Sequence, residues 1–363
     1  MVEQVKSLPL NQGGKRLQFL DVAKGILIIL VVLGHTHLPF SIYIYWFHLP
    51  AFFIISGLLH KQPDKTKFKD FVWKKTLGLM RPYFAFGISV IFIMAVYAGL
   101  THTGNPIKIF ATLLGRLAFG GRALFWTLGP FWFIPCLCLT IISFTAILHF
   151  ITNKKVAMAA VFLSFVIGML TLMLNRWFIP FNANVVPVAV FYYGVGYYAK
   201  NIVNQVYQME TKKWLIVLPV ISFCILLIYI AIKGYFFFDL DMKISKYSNY
   251  VLAVFIPLLF TAGVLLLSMV LKFRFLSSSL SYIGLNSLII MYLHYPVNNA
   301  IMTLTGYQYE SNYVLFVVLG VSIPLIIGLL LNTNQFTRKI FLISNKKASP
   351  AVPGNQVLQA EKT

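Results

Sequence analysis

The sequence predicts an all-α polytopic membrane protein with about ten transmembrane helices and both termini on the cytoplasmic side. Three observations carry that prediction. Of 363 residues, 59% are hydrophobic and only 11% are charged, whereas soluble domains are about 25% charged. The apolar residues fall into runs of about 20, the length a helix needs to cross a hydrocarbon core about 30 Å thick. The 30 Lys and Arg outnumber the 9 Asp and Glu, and most of them lie between alternate runs. That is the positive-inside pattern of a membrane protein; the same excess in a soluble chain would suggest nucleic acid, which the composition excludes.

The first run, 19–38, follows Lys15 and Arg16 as a signal peptide would. No small-residue cleavage site comes after it, so it is expected to remain as the first span. Further spans are expected at 42–60, 82–101, 129–150, 156–174, 184–200, 214–232, 250–271, 280–297 and 313–332. Their connectors alternate in charge: 23 of the 30 Lys and Arg fall on one side and seven on the other. The richer side is cytoplasmic. The chain therefore divides into a cytoplasmic arm, 1–18, a transmembrane domain, 19–335, and a cytoplasmic tail, 336–363. Pro350, Pro353 and Gly354 among scattered polar residues give the tail no basis for order. The segment from Asn105 to Leu128 carries Lys108, Arg116 and Arg122 on the outer side. It fits either an amphipathic piece in the interface or the lining of a vestibule.

Ionisable groups inside spans are costly and are functional candidates by default. Lys24 and His35 are eleven residues apart, within about 20° of full register on a helix, and Asp21 is about 40° from the same line. All three share one face, with Lys24 and His35 separated along the axis by about 16 Å. An alternative is that Asp21 and Lys24 only pair at one helix end while His35 caps the other. The second span, through Phe47-His48-Leu49-Pro50 to Ser56-Gly57, suggests a buried cavity, because Pro frees backbone carbonyls; Gly57 equally suits close helix packing. The 61–81 connector holds Lys61, Lys65, Lys67, Lys69, Lys74, Lys75 and Arg81 against Asp64 and Asp70. A solvated positive-inside loop accounts for it, and so does a site for an anionic cytoplasmic ligand. Pro130 to Phe133, including Trp132, fits an aromatic belt. Ser287 and His294, seven apart, share a face of the ninth span.

His35, His37 and His48 lack a carboxylate or cysteine partner, so no metal centre is expected. Gly194-Val195-Gly196 lacks the third glycine and the strand of a phosphate loop. Cys136, Cys138 and Cys224 sit in apolar segments without disulfide or zinc spacing.

In order and spacing, several of these motifs resemble the integral-membrane acyltransferase type 3 family, especially its fucose 4-O-acetylase-like branch. They are Leu20-Asp21-Val22-Ala23-Lys24-Gly25, Val31-Val32-Leu33-Gly34-His35, Phe47-His48-Leu49-Pro50, Arg81-Pro82-Tyr83, Pro130 to Phe133, and Ser281-Tyr282-Ile283-Gly284 on to His294. The resemblance spans roughly residues 16–332. It implies about ten transmembrane helices in a bacterial plasma membrane. It also implies transfer of an acyl group, usually acetyl, from cytosolic acyl-CoA to a hydroxyl of a cell-surface glycan or lipid-linked sugar, with no metal. The family histidine falls on His35, its basic residue on Lys24 and its acidic neighbour on Asp21. Some members carry two arginines after the second span, where this chain has Lys74, Lys75 and Arg81. His48, Trp132 and His294 are candidates to line the substrate cavity, and Lys74, Lys75 and Arg81 to meet the donor.

A neutral imidazole suits removal of the hydroxyl proton near neutral pH. His35 would act as that base or would itself accept the acyl group. Ten spans with perturbed helices and buried histidines also suit a transporter or flippase for a glycan precursor or small metabolite.

Overall fold

The computed structural model describes residues 17–36, 38–174, 179–209, 213–271, 273–306 and 312–341. The arm before residue 17, the tail after 341 and His37 lie outside the described residues. The chain runs through α1 (Gln18–Gly34), α2 (Ser41–Tyr45), α3 (His48–Leu58), α4 (Phe68–Leu100), α5 (Pro106–Phe119), α6 (Phe133–Phe150), α7 (Lys154–Leu174), α8 (Val186–Tyr198), α9 (Lys200–Gln208) and α10 (Trp214–Ile232). A small hairpin, β1 (Leu240–Asp241) with β2 (Lys246–Tyr247), precedes α11 (Leu252–Val270), α12 (Arg274–Leu285), α13 (Ser287–Thr305), α14 (Tyr313–Thr333) and α15 (Gln335–Phe341).

Seven helical stretches among the described residues are long and apolar enough to cross a bilayer, and α12 with α13 makes an eighth if that pair, bent by 78°, counts as one span. Two of the ten expected spans fall short. The run 19–38 forms α1, with 17 residues, and 184–200 forms α8, with 13. At 1.5 Å per residue these reach about 26 and 20 Å, less than the hydrocarbon thickness. Both are largely buried by other helices, so neither has to match the bilayer alone. By contrast, α10 is 11% buried and displays Leu215, Leu218, Phe223 and Ile225 outward. Such a surface would be a liability in water and is ordinary against lipid.

Three expectations need correction. The 61–81 connector is not a loop from end to end: α4 begins at Phe68 and runs 33 residues, about 50 Å, so Lys69, Lys74, Lys75 and Arg81 ride on a helix. The ninth span is broken at Asn286, whose side chain donates to the Tyr282 carbonyl at 2.9 Å. Finally, Pro50 lies in the first turn of α3, where backbone N–H groups have no intrahelical acceptor in any case; it starts a helix rather than perturbing one.

Two close crossings hold the centre. In α1 and α12, a Cβ on Gly25 would overlap the Leu280 carbonyl and one on Gly284 would overlap the Asp21 carbonyl. In α3 and α8, Gly57 meets the Tyr193 carbonyl and Gly196 the Ile54 carbonyl in the same way. Lipid gives apolar side chains little reason to associate, so backbone approach through small residues carries the packing. The small-residue reading of Gly57 therefore holds. Three buried threonine hydroxyls are satisfied locally: Thr140, Thr145 and Thr261 each donate to the carbonyl four residues back.

The 105–128 segment supplies α5, capped by Asn105 accepting from the Lys108 N–H at 3.0 Å. It packs on α4, where Tyr83 Oη donates to the Leu117 carbonyl at 2.6 Å. At the other end of the chain, α15 folds back onto α4 and sets the Phe341 ring 4.7 Å from Phe86.

Candidate active site

His35 is the residue at which α1 stops. Its N–H donates to the Val32 carbonyl at 3.2 Å, and its backbone leaves the helix at φ −87°, ψ 5°. The preceding Gly34 presents no side chain, and the Tyr45 ring lies against that position. The partly buried imidazole faces α13: its ring centre is 5.2 Å from that of His294, with 33° between planes, and 5.2 Å from Tyr295, edge to face.

His294 is fully buried. Its Nδ1 is 2.8 Å from the Ile290 carbonyl, which can only accept, so Nδ1 carries the proton and Nε2 a lone pair. That Nε2 is buried and has no hydrogen-bond partner among the described residues. A buried orphan acceptor costs free energy on the order of 1–3 kcal/mol. Beside a second imidazole, it marks a place where a proton or a polar ligand belongs.

Asp21 and Lys24 form an ion pair of 2.7 Å at the other end of α1. Asp21 is 3% exposed, and its carbonyl is what Gly284 crosses. Pairing at one end and a cap at the other, the simpler account of α1, are both present. They do not explain why the capping side chain meets a second histidine. The pair lies within α1 beside the Gly25–Gly284 crossing that holds α1 to α12, and α12 bends straight into the helix that carries His294.

His48 opens α3 and is 5% exposed. Like His294, it donates Nδ1–H to the carbonyl four residues back, Ile44, at 2.8 Å. Its ring is 5.0 Å from Tyr45, so His48 joins the site through Tyr45. The aromatic belt expected at Pro130 to Phe133 is not one, because Pro130, Phe131 and Trp132 are all buried. Phe131 packs 4.8 Å from Tyr292, and Thr127 accepts from Asn299 at 3.0 Å. Trp132 thus belongs to a wall against α13 rather than to the lipid interface. Lys74, Lys75 and Arg81 are exposed on α4.

Two groups of residues escaped the sequence reading. His60 is 4% exposed, with Nδ1 2.8 Å from Tyr193 Oη and Nε2 3.2 Å from Gln62 Oε1. Lys200 Nζ donates to its carbonyl. Burial lowers the His60 pKa to about 4, and Lys200 and Lys75 push the same way against the Gln62 bond. A histidine placed directly before Lys61, where a span ends, was the available signal. The second group is the 236–247 hairpin, where apolar Phe236, Phe238, Leu240 and Met242 alternate with Phe237, Asp239, Asp241 and Lys243. That period of two is legible as a strand with one buried face. Burial raises the Asp241 pKa and lowers that of Lys243 to about 8.

Among the described residues no group of three or more His, Cys, Asp or Glu could hold a metal ion. The cysteines are free and buried.

The apolar helices make this a multi-pass helical membrane protein, and it brings two imidazoles, the side-chain type suited to proton or group transfer, into contact. A family model described as an acyltransferase domain matches residues 17–333, and this chain belongs to that acyltransferase family. No curated protein and no solved structure matches the chain.

Proposed function

We propose that the protein is a membrane O-acyltransferase of the fucose 4-O-acetylase-like branch. It moves an acyl group, acetyl in the simplest case, from cytosolic acyl-CoA to a hydroxyl of a cell-surface glycan or its lipid-linked precursor. Its setting is a bacterial plasma membrane crossed about ten times, with both termini inside. The observation that carries the reading is the His35–His294 pair, with its orphan Nε2, in a chain of the acyltransferase family.

The acceptor oxygen attacks the thioester carbonyl as His35 takes the hydroxyl proton. The C–O bond forms, the C–S bond breaks, and the proton returns from the imidazolium to the departing CoA thiolate. In the variant with an acyl-enzyme, the His35 ring nitrogen makes the first attack, thiol leaves, and the acceptor hydroxyl then displaces the imidazole. In both, the lone pair on His294 orients His35 and steadies its positive charge, an electrostatic role that a preformed dipole fills at little reorganisation cost.

The donor's phosphates need cations on the cytoplasmic side. Lys74, Lys75 and Arg81 along α4 suit them, together with Lys61 and Lys200. Lys75 and Lys200 converge on His60, and among the described residues no ion pair joins these five to a carboxylate. Asp21 and Lys24 support the site by holding α1, with Lys24 directed to the donor side.

The test is an assay on the purified chain in detergent, with acetyl-CoA and a panel of glycosides. Thiol release matched by ester formation supports the transferase. Glycoside binding with no CoA released would favour the transporter instead. In the same assay, replacing Lys74, Lys75 and Arg81 together by Gln is expected to raise the donor KM while kcat changes little, because those contacts are shared by ground and transition states. An unchanged donor KM would return these cations to a topological role.

A further inference from the structure

His60 lies just beyond the end of α3, between two aromatic rings that each carry a cation. On one side is Phe71 of α4, its ring centre 5.8 Å from that of His60, with Lys75 Nζ 5.5 Å over the Phe71 ring. On the other is Tyr197 of α8, 5.5 Å from His60, with Lys200 Nζ 4.4 Å over the Tyr197 ring. Lys200 Nζ also donates to the His60 carbonyl. Lys61 is a third cation and repels Lys200. Among the described residues no ion pair joins any of the three to a carboxylate.

Helix capping accounts for the bond from Lys200, because a cation suits the C-terminal end of a helix. It does not account for three ammonium groups around one buried histidine without a counter-charge. Like charges held together repel, and a bound anion relieves that cost. The three are also unlike one another. Lys61 and Lys75 are exposed, whereas Lys200 is half-buried. Burial first, and then Lys61, lower the Lys200 pKa to about 8. Near neutral pH that leaves on the order of a hundred times more free amine than an ordinary lysine, with a pKa of about 10.4, would hold. A desolvated lysine beside another cation has the environment of a nucleophilic amine, and the His60 carbonyl and the Tyr197 ring hold this one in place.

We propose that Lys200 is an acylation site, and that its donor is a small acyl phosphate whose phosphate is held by Lys61 and Lys75. The Lys200 ammonium first loses a proton to water. The amine then attacks the acyl carbon; the C–N bond forms and the C–O bond to phosphate breaks. Phosphate leaves with that electron pair and takes the extra proton from nitrogen. The amide product keeps one N–H, enough for the His60 carbonyl, and has lost its charge. On the transferase reading, losing that cation weakens the hold on the donor's phosphates. The acylation itself does not depend on that reading.

The test uses the purified full chain in detergent, incubated with acetyl phosphate near neutral pH, with no acyl-CoA or glycoside present. Peptide mass spectrometry compares the rate of acetylation at Lys200 with the rates at Lys65 and Lys69, both exposed. Lys200 is expected to react several-fold faster. Excess inorganic phosphate is expected to remove that lead, and so is the double variant Lys61→Gln with Lys75→Gln, with circular dichroism as the check on its fold. Lys200 reacting no faster than Lys69 would overturn the assignment. So would a lead that survives excess phosphate, or one that survives in the folded double variant. Acylation of Lys200 in a chain that transfers nothing to a glycoside would keep this site and sink the transferase. Transfer to a glycoside with Lys200 unreactive would do the reverse.

Discussion

His35→Ala is expected to lower acyl transfer by about 10²–10⁴, the usual cost of losing a general base, or to abolish it if the acyl group resides on His35. The protein should still insert and keep its helices. His35 ends α1 through its backbone N–H to Val32, and that bond survives the substitution. His35→Gln preserves polarity without basicity and should fail like Ala. Turnover is measured on solubilised protein, with circular dichroism as the check on folding. Near-normal turnover in a folded His35→Ala protein would remove the imidazole from the chemistry.

Gly284→Ala is expected to be the most damaging of the mildest substitutions. The added methyl would overlap the Asp21 carbonyl and the Gly25 nitrogen, both backbone atoms of a helix, so neither can turn aside. Either α1 and α12 separate or the chain distorts at the bend before α13. Overpacking typically costs about 1–3 kcal/mol, and a clash of backbone with backbone belongs at the upper end. The damage extends to function, because the same crossing sets α1, with His35, against the element leading to His294. Gly78→Ala and Gly115→Ala are the controls: a Cβ at either meets nothing within 4 Å. Ala is also the better helix former, by about 1 kcal/mol, so the controls should unfold no earlier than the parent. Thermal unfolding in detergent reads all three, and a Gly284→Ala protein as stable as Gly78→Ala would refute the crossing.

Much of this was legible in the sequence because apolar runs and segregated cations are direct consequences of a bilayer. What the runs do not encode is which helix is inside. Lipid is as apolar as a protein core, so hydropathy does not separate α4, which is mostly exposed, from α6, which is mostly buried. Small residues carry that information, and Gly57 was read that way. Trp132 was read as part of an interfacial belt on composition and as a cavity-lining candidate by resemblance; its burial rules out the belt, and its neighbour Phe131 packs on Tyr292, more than 150 residues away. The shared face of Asp21, Lys24 and His35 was legible from helical register. The approach of His294 to His35 was not, since it depends on the break at Asn286. The hairpin's alternation of Phe238, Leu240 and Met242 with Asp239, Asp241 and Lys243 was readable but short.

The central claim is that the chain passes an acyl group from a donor on one side of the membrane to an acceptor on the other, through His35. It is tested most directly in sealed proteoliposomes in which the chain is oriented with its termini inside. Radiolabelled acetyl-CoA is enclosed and a neutral glycoside supplied outside. The account predicts label appearing on the external glycoside as ester while CoA thiol accumulates inside, both lost in His35→Ala. Internal acetyl-CoA left intact while glycoside crosses the membrane would contradict it.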